Sequence, residues 1–312
     1  MGTLNQEPLS ARNTPSGIAS TQNSLGRSPW QRTEAVGLTK ENYLDLLYGR
    51  TPTLWEPGFV SRELSWEYEK RLSPQLTPYT HNTGPLLTKV GVAQFEFQAQ
   101  TAVDFTKRSD EKSRYFTEAK RWSNIHEDLA QSTGVNLWEK VYLNVASLFP
   151  EWDVEVASER KDKIYFSGIF RALNHATHVH CDWSPYDSLT EDWIVNQVEC
   201  QVVFNLYLAP VKGGRTIVHD IHWTPEALAY RDPESYGYYP SIVSESRRAY
   251  VIPEVGGLGF FNSRNMHEVE KVDMEPCAEL DLAYRPRLTM SSFMGLIPAS
   301  KTGGKPKLIF WS

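Results

Sequence analysis

Two histidines and one aspartate carry the chemistry this chain is equipped for: His180 and Asp182, two positions apart, and His267 far downstream, followed by Arg287. Two imidazoles and a carboxylate make a three-ligand face for Fe(II) and leave positions open for oxygen and a bidentate co-substrate. On an extended segment residues two apart point the same way, so His180 and Asp182 can bind one ion. An arginine can then hold a distant carboxylate of such a co-substrate through a two-pronged hydrogen bond. Arg287 begins the run Arg-Leu-Thr-Met-Ser-Ser-Phe-Met-Gly, where Arg287, Thr289 and Ser291 share one strand face. Arg285 competes for the same role from across Pro286.

The histidines leave other ligand sets open. His175, His178 and His180 cluster, and His219 and His222 follow the Gly213-Gly214 turn. A three-histidine site through His178 or His219 is the alternative. The carboxylate version is preferred because Asp182 would otherwise be a buried charge without a partner. Cys181 alternates away from the metal side and reads as a small packed thiol.

These side chains need elements to position them. Residues 1–35, rich in Ser, Thr, Asn and Pro, read as a disordered tail. Thr39 caps a short helix that stops near Gly49, and Ser61 opens a second that runs through Arg71. Residues 86–98 look extended; 109–131 and 137–149 look helical, the latter between Asn136 as cap and Pro150 as stop. From about 164 the apolar period becomes two. Residues 164–170 are one strand and 198–208 a clearer one. In the latter Val198, Cys200, Val202, Phe204, Leu206 and Leu208 alternate with Glu199, Gln201, Asn205 and Tyr207. An apolar row against a polar and aromatic row suits a barrel wall with helices outside and a wet pocket inside. Residues 215–218, 249–253, 258–262 and 288–297 continue the sheet, and the Tyr-rich loop 224–246 reads as a lid. Helices first and strands afterwards give an α+β chain with a double-stranded β-helix (jelly-roll, cupin-like) core, N-terminal helices packed on it.

Composition narrows the function. Hydrophobic residues at 40% and ten tryptophans supply a sizeable core. A net charge of -6 spread along the chain gives no basic footprint, which argues against nucleic acid as partner. Three cysteines without metal-type spacing fit free thiols in a reducing compartment, the cytoplasm. No apolar stretch is long enough to span a membrane.

Together, several pieces make the sequence resemble the Fe(II)/2-oxoglutarate-dependent dioxygenases. They are His180-Cys-Asp182, Val-Val-Phe-Asn-Leu-Tyr-Leu-Ala-Pro-Val-Lys-Gly-Gly, Gly-Gly-Leu-Gly-Phe-Phe-Asn with His267, and Arg287-Leu-Thr289. Trp223-Thr-Pro and the ending Phe310-Trp311-Ser312 resemble the branch of hapalindole-type alkaloid halogenases, with hydroxylases of N-substituted amino acids as further relatives. The similarity covers about residues 160–312. It implies a single oxygenase domain over 36–312 (helical 36–155, jelly-roll core 160–312) with iron on His180, Asp182 and His267. It also implies 2-oxoglutarate with its far carboxylate on Arg287 and Thr289. Arg171, Gln201 and Asn205 are expected to reach the co-substrate or the substrate. The halogenases carry a small residue where this chain has Asp182, so hydroxylation of an unactivated C–H bond is expected, with desaturation or ring closure as variants. The expected substrate is a small amino-acid-derived or secondary metabolite. The competing expectations are a metal- or ligand-binding jelly roll without oxygenase activity, and a zinc hydrolase using Asp182 as base.

Overall fold

The computed structural model describes residues 25–79, 84–98, 102–188, 192–282 and 284–312. Three helices begin where a side-chain oxygen meets an orphan backbone N–H. Thr39 caps Lys40–Leu47 by accepting from the Asn42 amide, Ser61 caps Arg62–Leu72 through Leu64, and Asn136 caps Leu137–Leu148 through Glu139. Each such cap stabilises its helix by about 1 kcal/mol. Their apolar faces (Tyr43, Leu46, Tyr68, Leu72, Val141 and Val145 among others) form one buried cluster with Val202, Phe204, Leu206, Met290, Met294 and Phe310. The even-numbered residues of Cys200–Tyr207 therefore pack under helices, as the alternation predicts.

Cys200–Tyr207 lies near the middle of a large sheet whose order is Thr53–Glu56, Leu258–Phe261, Cys200–Tyr207, Leu288–Ile297, Ile169–Ala172, Thr88–Val90 and Thr77–Pro78. Lys307–Trp311 extends it from Leu288–Ile297, with Asp153–Val156 parallel beyond. A smaller antiparallel sheet is built on Thr216–His222, which pairs with Gly26–Arg27, Arg248–Val251 and Asn265–Val269. The sheets face each other: Val203, Tyr207 and Phe261 of the large sheet pack with Val218, Ala249 and Val251 of the small one. This is the double-stranded β-helix with helices on its outer wall.

The structure differs from the sequence expectations in several places. Residues 25–35, assigned to the tail, instead pack onto the core. Leu25, Ser28 and Trp30 are buried, Gly26–Arg27 is a strand, and Asp220 holds both Arg27 and Arg247. The rest of that tail lies outside the described residues. Of 86–98 only Thr88–Val90 is a strand, followed by the 3-10 turn Gln94–Phe97, because Glu96 folds back onto the Ala93 amide and Lys89. The 164–170 strand is displaced to Ile169–Ala172, since Gly168 at φ 83 breaks the run. His267 follows the strand Leu258–Phe261 and sits inside the next one, Asn265–Val269. Among the described residues no helix is long and apolar enough to cross a membrane, and all three cysteines are free.

Candidate active site

The segment carrying His180 and Asp182 is extended because it borrows a sheet edge. His180 and His267 exchange backbone hydrogen bonds, N to O 2.9 Å one way and 2.7 Å the other, as an isolated antiparallel bridge. The Thr177 amide donates to the Val269 carbonyl, and the Asp182 amide to the Ser263 carbonyl. On the other side Tyr238 donates to the Val179 carbonyl, so the 224–246 loop closes the segment's second edge.

This pairing puts the two imidazoles side by side, ring centroids 4.2 Å apart. The His180 and His267 nitrogens and an Asp182 carboxylate oxygen all lie within 4.8 Å of one another, and this is the one such group among the described residues. Each ring is oriented from behind. Nδ1–H of His180 donates to the His178 carbonyl at 2.8 Å, and that of His267 to the Asn265 carbonyl at 2.9 Å. Both Nε2 lone pairs are thereby turned toward the common centre. Burial and the neighbouring His267 push the His180 pKa down to about 4, so its ring is neutral and ready to ligate. Burial pushes the Asp182 carboxyl up. The neighbouring imidazoles and the Arg171 guanidinium outweigh it and hold the group below its usual range. Asp182 stays 38% exposed, so the centre opens to the pocket.

The alternative ligands are elsewhere. His219 is turned away, with Nδ1 on Ser246 Oγ and Nε2 on Glu268. The His178 ring packs edge-on against Tyr236. The Cys181 thiol is buried, as its alternation predicts.

Arg287 is buried at the far end of the pocket. Its Nε donates to the Gly214 carbonyl at 3.0 Å; Nη2 reaches Thr216 Oγ1 at 3.3 Å and the Tyr207 hydroxyl at 3.4 Å. All three acceptors are neutral, and no carboxylate among the described residues pairs with it. A buried guanidinium without a counter-charge is costly unless a ligand supplies one. Gly214, at φ +66, allows the close approach: a Cβ there would stand 2.9 Å from Arg287 Cδ. The competitor Arg285 is spent elsewhere, in an ion pair with the buried Glu69.

The inner face of the large sheet connects the two ends. Thr289 lies in register with Tyr207 on one side and Arg171 on the other, and Ser291 with Asn205. The Asn205 amide makes no hydrogen bond to a described residue and is free beside Ser291. Gln201 is different: its Nε2 donates to the Asp182 carbonyl and Ser263 Oγ, and its Oε1 accepts from the Ser184 amide. It braces the backbone around Asp182. Of the lid tyrosines, Tyr230 and Tyr238 are buried, whereas Tyr236 stays half-exposed, its ring 5.8 Å from that of His180. Sequence reasoning missed Tyr79, which holds Arg171, and Thr216, which holds Arg287. Nothing local in the sequence marks Tyr79; Thr216 was within reach as the polar end of a strand after the Gly-Gly turn.

A two-histidine, one-carboxylate face and an unanswered guanidinium inside a double-stranded β-helix define a non-haem Fe(II)/2-oxoglutarate-dependent oxygenase. Residues 79–298 match the family described as carrier-protein-independent halogenase WelO5, and the chain belongs to that family. A relative is the leucinostatins biosynthesis cluster protein S of Purpureocillium lilacinum, 27% identical over 237 residues, which cover 75% of this chain and 89% of the relative. Among solved structures the fold is similar to an N-substituted L-amino acid dioxygenase from Burkholderia ambifaria. That match has 14% identity and a TM-score of 0.54, over 88% of this chain and 91% of the other. The same enzyme in complex with alpha-KG matches with 15% identity and a TM-score of 0.50, over 87% and 90% of the two chains.

Proposed function

We propose that His180, Asp182 and His267 hold Fe(II), and that Arg287 with Thr289 takes the far carboxylate of 2-oxoglutarate. Residues 36–312 then act as one oxygenase domain. The observation that carries this is the buried Arg287 guanidinium, bonded to neutral acceptors alone, on the sheet face that leads to the three converging ligand atoms. A metal-binding jelly roll without oxygenase activity would have no use for that charge.

Fe(II) with 2-oxoglutarate and O2 supplies oxidative decarboxylation to succinate and CO2, coupled to hydrogen abstraction from an unactivated C–H bond. The chain's own residues do the rest. Backbone carbonyls at 178 and 265 fix the tautomers of both imidazoles, and Phe261 backs the His267 ring at 4.9 Å. Gln201 and Ser263 hold the main chain at Asp182. Asn205 offers a free amide beside the co-substrate's path, and Arg171 a charge for an anionic group near the metal end. Tyr236 and the 224–246 lid shield the centre from water.

Hydroxylation is the expected outcome. Asp182 would supply a carboxylate where the resemblance to the halogenases implies a small residue, although the matching family is named for halogenation. An amino-acid-derived or secondary-metabolite substrate is supported by the relative named for leucinostatin biosynthesis and by the fold's likeness to the N-substituted amino acid dioxygenase. The free thiols support a reducing compartment, which we take as the cytoplasm.

The test is anaerobic. Fe(II) and then 2-oxoglutarate are added to purified protein, and the weak visible charge-transfer band of the chelated complex is sought. The band is expected in the wild type and lost in both His267→Ala and Arg287→Ala. Iron binding with no band on adding 2-oxoglutarate would overturn the proposal in favour of a metal-binding jelly roll.

A further inference from the structure

Arg171 is a second cation in the pocket, with no acid within ion-pair distance among the described residues. It stands on Ile169–Ala172 in register with Thr289 and Lys89 of the neighbouring strands, so all three share the inner face. Its Nε donates to the Tyr79 hydroxyl at 2.7 Å and its Nη1 to Ser291 Oγ at 3.0 Å. These neutral contacts fix the plane of the guanidinium and leave Nη2 without a partner among the described residues. Lys89 is already matched by Glu96, and Asp182 faces the two imidazoles, beyond ion-pair distance of Arg171. No carboxylate among the described residues pairs with Arg171.

The two arginines divide the pocket by depth. Arg287 is buried at the end lined by Gly214 and Thr216. Arg171 is half-buried, bonded to Ser291 two inward-facing positions beyond Arg287, and its charge reaches Asp182. A guanidinium held in one plane with a free N–H edge matches a carboxylate. With Arg287 assigned to the far carboxylate of 2-oxoglutarate, the substrate is the other molecule that can bring an anion to the free edge of Arg171.

We propose that Arg171, held by Tyr79 and Ser291, seats a carboxylate of the substrate, so that the enzyme selects carboxylic acids over neutral molecules of the same shape. This rests on Arg287 holding the co-substrate.

The experiment uses the full chain loaded anaerobically with Fe(II) and 2-oxoglutarate. The probes are isovalerate, N-acetyl-L-leucine and indole-3-acetate, each paired with its primary amide. The readout is the perturbation of the charge-transfer band during titration, which needs no turnover. In the wild type the acids are expected to act at concentrations about tenfold below those of the amides, as one charge-assisted hydrogen bond gives. Arg171→Met should erase that difference and leave the 2-oxoglutarate dissociation constant unchanged. Arg171→Lys should keep part of it, which separates loss of charge from loss of fold. Equal responses to acid and amide across the set, including no response to either, overturn the proposal. So does weakened 2-oxoglutarate binding in Arg171→Met, which would assign Arg171 to the co-substrate. A wild type that shows no band before any probe is added overturns the co-substrate reading itself, and this proposal with it.

Discussion

Replacing Arg287 with methionine should separate the stability of the free protein from its response to 2-oxoglutarate. In the free protein the guanidinium is 4% exposed and makes three hydrogen bonds, two of them longer than 3.2 Å. Removing it forfeits roughly 1 kcal/mol per bond at most. It also removes a buried charge that lacks a counter-ion, which costs the folded state about as much in the opposite direction. The ligand-free melting temperature should therefore change little. Bound 2-oxoglutarate reverses the balance. Truncating one partner of a buried charge pair costs about 2–5 kcal/mol, or roughly 30- to 5,000-fold in dissociation constant. At about 100 times its dissociation constant, the co-substrate stabilises the wild type by about 2.7 kcal/mol, or roughly 5 °C or more in Tm. Scanning calorimetry of the anaerobic Fe(II) protein, with and without 2-oxoglutarate, should show this shift in the wild type and about a third of it or less in Arg287→Met. Arg287→Lys keeps the charge without the fork and should fall between. A methionine variant that keeps the full 2-oxoglutarate-dependent shift would refute the assignment.

Three further outcomes follow from the geometry. Gly214→Ala adds a Cβ 2.9 Å from Arg287 Cδ at a positive φ, so it should weaken 2-oxoglutarate by about tenfold while iron affinity is retained; parallel titrations of both ligands check this. Arg285→Met strands the buried Glu69 carboxylate and should destabilise the protein by about 3 kcal/mol, read from denaturant midpoints at constant slope. His126, buried against Phe166 with Nε2 on the Ser167 carbonyl, has its pKa pushed down by burial from 6.5 to about 4. Between those values the unfolded chain binds a proton that the folded chain refuses, so stability falls as pH drops through 6.5 and levels off below 4. The loss is about 3 kcal/mol. His126→Gln should make that part of the stability profile shallower, His180 and His222 with similarly lowered pKa values contributing the remainder, and an unchanged slope in pH-dependent urea melts would contradict the assignment.

The candidate site was legible where chemistry is local and hidden where it depends on distant pairing. The His-x-Asp spacing needed only an extended backbone to aim both side chains one way. The caps at Thr39, Ser61 and Asn136 declared themselves because a short polar side chain before an apolar period has one common use. Arg287 and Arg285 could not be separated with certainty from sequence, since what distinguishes them is Glu69, which sits on a distant helix. Asn265–Val269 was overlooked because five residues starting from a polar Asn carry too short an alternation to register. The tail was drawn too long for a related reason. Its polar composition masked Leu25 and Trp30, the two apolar residues by which the segment is anchored. Tyr79 meets Arg171 across the sheet edge, a contact that no local pattern encodes.

The main chain around Asp182 is secured without help from its carboxylate. Its amide is bound to Ser263, its carbonyl to Gln201 and Ser263, and the rung between His180 and His267 stands beside it. Position 182 is thus a socket whose side chain can be exchanged while the two imidazoles keep their places. A family built on this frame can exchange the side chain at this position with no strand of the sheet to rebuild.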